Sequence, residues 1–103
     1  MADPMRVRAI ENAGVTEVKI LMKHDMETGL RKDAAGKVIP AHFIQNVSVR
    51  HKEREVFLAQ LGASISKDPF LSFKFKGALK GDKVSVTWLD NTGDKRSDEA
   101  TVA

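Results

Sequence analysis

The chain contains no cysteine. That removes disulfides, thiolate metal sites and a cysteine nucleophile together. It does not fix a compartment, because exported domains also exist without disulfides. No apolar run approaches the roughly 20 residues of a membrane span. The opening "MADPMRVRAI" lacks an apolar stretch behind its basic residues, so it does not read as a secretory signal peptide. Neither charge sign dominates: the net charge is +3 and charged residues make up 30% of the chain. Interspersed charge at that level argues against disorder, and the mild cationic excess favours anionic ligands or an acidic partner over nucleic acid. Internal repeats and low-complexity segments are also absent.

What is present is alternation. In "FLSFKFK", Leu71, Phe73 and Phe75 alternate with Ser72, Lys74 and Lys76, the pattern of a strand with one buried face. In "DKVSVTWLD", Val84, Val86 and Trp88 oppose Ser85 and Thr87, and β-branched and aromatic residues suit a pleated surface. "DNTGDK" then reads as a hairpin loop, with Gly93 free to take positive φ, and "RSDEATVA" as a polar return strand at a sheet edge. Upstream, Met5, Val7 and Ala9 share one parity, as do Val18, Ile20 and Met22. Phe43, Val47 and Val49 share another, and "VFLAQLGASI" reads as a further apolar strand. About seven short strands separated by turn signals predict an all-β chain. The expected architecture is a single immunoglobulin-like β-sandwich of antiparallel strands over residues 1–103.

The chemical inventory concentrates in Lys23–His42. In an extended strand Met22, His24 and Met26 would point the same way, a thioether–imidazole–thioether set suited to Cu(I). Core packing explains Met22 equally, since it continues the parity of Val18 and Ile20. No serine sits in a G-x-S-x-G elbow. His24, His42 and His51 have carboxylates nearby in a chain where carboxylates are common, and "HDME" is not a zinc-binding helix motif. Gly77, Gly81 and Gly93 sit in turns without the strand–loop–helix setting of a phosphate cradle. Arg6, Arg8, Arg50, Lys52, Arg54, Lys74, Lys76, Lys80 and Lys83 read as solvated sheet faces. The phenylalanines take the inward parity, whereas a nucleic-acid binder interleaves exposed aromatics with its cations. The long connection containing Gly29, Gly36 and Pro40 therefore reads as a docking element.

The blocks "HDMETGLRKDAAGKVIPAHFI", "DPFLSFKFKG" and "GDKVSVTWLDNTGDKRSDEATV" resemble the SoxZ family over almost the whole chain. The resemblance implies an immunoglobulin-like sandwich without cofactor, metal or catalytic residue. It implies a heterodimer with SoxY, whose Gly-Gly-Cys-Gly-Gly arm carries sulfur intermediates of thiosulfate oxidation, and transient contact with other Sox enzymes. Neither nucleic acid nor membrane is expected as a partner. A periplasmic location, reached by export together with SoxY, would account for the missing signal peptide. The most specific block, with its mixed apolar and polar character, supplies the expected partner-binding residues: Met26, Glu27, Thr28, Gly29, Leu30, Arg31, His42, Phe43 and Ile44. An edge strand or apolar patch normally covered by SoxY would allow self-association in its absence.

Overall fold

A strand that buries every second residue needs another apolar face to cover it, and this chain meets that need with two sheets. The computed structural model describes residues 3–103; Met1 and Ala2, part of the expected domain, lie outside the described residues. The strands are β1 Arg6–Asn12, β2 Val15–Leu21, β3 Ile44–His51, β4 Arg54–Gln60, β5 Phe70–Lys76, β6 Lys83–Asp90 and β7 Lys95–Thr101. Three pair in the order β1-β2-β5 and four in the order β4-β3-β6-β7. Every pairing is antiparallel. Among the described residues there is no helix. The all-β sandwich expected from the alternation is the architecture observed, with the polar strand β7 at an edge.

Val18, Ile20 and Met22 face Val47, Val49, Val84, Val86 and Trp88 across the core, and all are fully buried. Each such side chain contributes roughly 1.5–3 kcal/mol of transfer free energy before conformational entropy is counted. The sandwich is closed on one flank. There β1 lies beside β7, Ala103 donates its N–H to Ala9 O at 2.9 Å, and Glu11 donates to Ala103 O at 2.9 Å. The other flank, between edge strands β4 and β5, is looser. Phe57 stacks on Phe73 there with ring centroids 4.3 Å apart, yet both remain half-buried.

Three local expectations change. The β3–β6 register slips between Ile44 and Asn46, so Gln45 is a bulge residue. The bulge reverses parity, placing Ile44 in the core and leaving Phe43 only partly buried beside it. The strand expected to run on from Val56 to Ile65 stops at Gln60, because its partner β3 begins at Ile44. The last bond between the two segments is Leu61 N–H to Gln45 O at 2.8 Å. Of the phenylalanines in β5, Phe73 and Phe75 point inward, but Phe70 is outward and 58% exposed.

The closed flank depends on the last buried aliphatic of the chain, Val102, which is 1% exposed. Val102→Ala is expected to lower unfolding free energy by about 2 kcal/mol in urea denaturation, the cost of an aliphatic truncation at a packed site.

Candidate functional site

Between β2 and β3 the chain leaves the sandwich and returns as a narrow two-stranded finger. At its base Glu27 and His42 exchange backbone bonds, N–H to O distances being 2.6 and 2.9 Å. Further out, Ile39 donates to Arg31 O at 2.7 Å and Asp33 to Lys37 O at 2.9 Å. Asp33 Oδ1 closes the tip by accepting from Ala35 N at 2.9 Å and Lys37 N at 3.0 Å, an Asx-type turn. The molecule measures 54 × 20 × 19 Å. Strands of this length span only roughly 25 Å, so the finger and the loops account for much of the long axis.

A ribbon this thin has no core of its own, and its position is set by what holds its base. That anchor is the β6–β7 turn. Asp90, the last residue of β6 and 2% exposed, receives five hydrogen bonds. Its Oδ1 accepts from Thr92 Oγ1 at 2.7 Å, Thr92 N at 2.9 Å and Asp94 N at 3.0 Å, which fixes the turn. Its Oδ2 accepts from His42 Nε2 at 2.8 Å and His24 Nε2 at 3.1 Å, one imidazole from each side of the finger's base. The next residue adds a second attachment. Asn91 Oδ1 accepts from Phe43 N at 2.8 Å, and Asn91 Nδ2 donates to Ala41 O at 2.8 Å.

The His24 tautomer follows from its neighbours. Met26 N–H donates to Nδ1 at 3.1 Å, so the ring proton is assigned to Nε2, where it faces Asp90. His24 is also held from the β5 side: its N–H donates to Asp68 Oδ1 at 3.0 Å and its O accepts from Asp68 N at 2.9 Å. Burial pushes the Asp90 carboxyl up, but the donors from Thr92, His24 and His42 outweigh it and hold the group well below the usual carboxylate range.

Two imidazoles and a carboxylate whose ligand atoms lie within 4.8 Å of one another are a familiar metal-ligand set. The protonation pattern does not fit one here. Coordination through His24 Nε2 would move its proton to Nδ1, directly against the Met26 N–H. The arrangement is a hydrogen-bonded clamp. The thioether set does not converge either. β2 ends at Leu21, so strand alternation does not extend through residues 22–26, and Met26 has a φ of 55°. Met22 is fully buried in the core, and Met26 Sδ takes the Ile44 N–H at 3.3 Å. His42 carries a ring nitrogen not used by Asp90, but among the described residues no hydroxyl hydrogen-bonds to it, and the Thr92 hydroxyl is committed to Asp90. Among the described residues, the general-base half of a hydrolytic site thus has no nucleophile hydrogen-bonded to it.

The expected partner-binding residues divide in two. Met26 and Ile44 are core residues, 5% and 0% exposed, and they anchor the finger from below. Thr28, Leu30 and Arg31 are exposed, with Leu30 at 85%. Glu27 and Arg31 form a two-pronged ion pair on the finger's side, which lowers the Glu27 carboxyl. Gly29 has a φ of 86°, and a Cβ there would sit 3.1 Å from Ala41 Cβ, so only glycine passes that crossing without strain. His42 and Phe43 serve the clamp. "DNTGDK" reads as a hairpin loop, and the Asp-x-Thr spacing signals the turn, but nothing local signals that Asp90 and Asn91 grip residues 48 to 66 positions away.

The geometry defines a class: a small antiparallel sandwich that carries a projecting finger moored by a His–Asp–His clamp around the buried Asp90. The model of the family described as sulphur oxidation protein SoxZ matches residues 5–101, and the chain belongs to that family. Its role accordingly lies in Sox sulfur oxidation. No curated protein sequence matches the chain significantly. Among solved structures, the chain is similar to superoxide reductase (neelaredoxin) from Archaeoglobus fulgidus, a point variant in the reduced form. The identity is 21%, the match covers 97% of this chain and 86% of that one, and the TM-score is 0.53. At that identity the likeness concerns the fold alone.

A carboxyl held low in the folded state stabilises above its unfolded pKa of about 4, and that contribution is lost as pH falls through the folded value. The thermal unfolding midpoint is therefore expected to fall steadily below about pH 4. Asp90→Asn is expected to lower stability at pH 7 by about 3 kcal/mol and to flatten the acid-side slope, since the amide's N–H₂ would oppose two imidazole donors.

Proposed function

We propose that this chain is the non-catalytic subunit of a SoxYZ sulfur-carrier complex. It binds and stabilises SoxY, whose C-terminal cysteine arm holds the sulfur intermediates, and helps present that arm to the other Sox enzymes. The observation that carries this reading is the membership of residues 5–101 in the SoxZ family, in a chain without cysteine. The reacting thiol then belongs to the partner, and this subunit supplies recognition.

The finger is the SoxY-facing element in this reading. Leu30 at 85% and Val38 at 54% exposure are large apolar side chains on an element fixed at its base. Pre-organised apolar anchors of this kind lose little ordering entropy on binding. Thr28 and the Glu27–Arg31 pair provide a polar rim beside them. Gly29, His42 and Phe43 hold the finger's course, and Met26 and Ile44 support it from the core. The complex works in the periplasm, where this subunit arrives by export together with SoxY.

Leu30→Asp combined with Val38→Asp is expected to abolish co-purification with co-expressed SoxY while leaving the fold intact, because both side chains are already in water. A stable one-to-one complex of the double variant, seen by mass measurement, would refute the finger as the SoxY contact. Turnover of thiosulfate by the isolated chain would refute the non-catalytic reading itself.

A further inference from the structure

The two outer faces of the sandwich differ in charge. On the β1-β2-β5 sheet the outward row positions are set by the pairings Arg6–Leu21–Phe70, Arg8–Lys19–Ser72, Ile10–Glu17–Lys74 and Asn12–Val15–Lys76. Five cations, Arg6, Arg8, Lys19, Lys74 and Lys76, stand there against the single carboxylate of Glu17. Glu17 pairs with Lys19 at 3.7 Å; among the described residues the other four cations have no ion-pair partner. The outer face of the β4-β3-β6-β7 sheet is nearly balanced, with Arg50, Lys83 and Lys95 against Glu55 and Glu99.

Apolar groups are set among the five cations. Phe70 is 58% and Ile10 47% exposed, and Phe70 and Leu21 line a shallow depression of about 420 Å³ with Arg6, Arg8 and Lys19. We propose that this face is a docking surface for an acidic protein face whose carboxylates surround an apolar patch. Arginine and phenylalanine with exposed aliphatics are the composition of a protein interface. A single-stranded nucleic acid would want a series of stacking aromatics, and this face has one. A small anion would want donors converging on a point, and these cations are spread over three strands.

The size of the face sets the lifetime of the encounter. Three seven-residue strands present roughly 400 Å², from the rise per residue and the strand spacing. That is about half of the ~800 Å² that one partner contributes to a stable complex. Contact through this face is therefore brief, salt-sensitive and steered by charge. It suits a partner that visits and leaves, and its residues are not those of the finger.

Amide chemical-shift titration of the isotope-labelled full chain tests the proposal with defined probes: a peptide of about fourteen residues alternating Glu with Val, a pure polyglutamate and an oligo-dT of matching length, and sodium sulfate. The alternating peptide is expected to shift β1, β2 and β5 in a saturable way and to bind more tightly than polyglutamate. Phe70→Ser should remove that advantage. Arg8→Glu with Lys74→Glu should weaken the peptide about tenfold or more, whereas Arg50→Glu with Lys83→Glu should change it by less than about twofold. Circular dichroism confirms that each variant is folded. Tighter oligo-dT binding on this face, the same saturable shifts from sulfate alone, an equal loss in the Arg50/Lys83 variant, or no peptide binding would each overturn the proposal.

Discussion

The position of the finger depends on one buried carboxylate. Asp90 fixes its own turn with one oxygen and both sides of the finger's base with the other. The two tasks are coupled, because the turn geometry aims Oδ2 at the imidazoles. A buried carboxylate with five donors is stable as an anion only while all of them are in place, which makes the network cooperative. The Asn91 bonds to Ala41 and Phe43 extend the grip to the returning strand. A ribbon that would be marginal alone in water becomes a defined projection.

The parts of the molecule divide the labour. The sandwich supplies stability through Trp88 and the aliphatics around it; the clamp turns that stability into a fixed direction for the finger; the finger exposes Leu30 and Val38 along its length. The cationic β1-β2-β5 face is a second exposed surface, built by the sandwich itself and not by the finger.

The strands were legible because their signal is local. Leu71, Phe73 and Phe75, and Val84, Val86 and Trp88, declare their faces by parity alone. The bulge at Gln45 was not legible, since a parity reversal shows only once β6 is in register, and so Ile44 and Phe43 exchanged their expected environments. The long connection between β2 and β3 is legible as a turn-rich excursion, but the burial of Met26 is not: its thioether is held by the Ile44 N–H, a contact between segments that sequence order keeps apart. The exposure of Phe70 was missed because parity was read from Phe73 and Phe75, which face the other way along the same strand. Long-range polar contacts, unlike hydrophobic periodicity, leave no repeating trace in the sequence.

The central claim is that Asp90 orders the finger, and amide hydrogen exchange at neutral pH tests it residue by residue. In the native protein the Glu27, Ile39 and His42 amides should be protected, and in Asp90→Ala they should exchange rapidly while amides of β3 and β6 keep their protection. Unchanged protection of the finger in that variant would contradict the account.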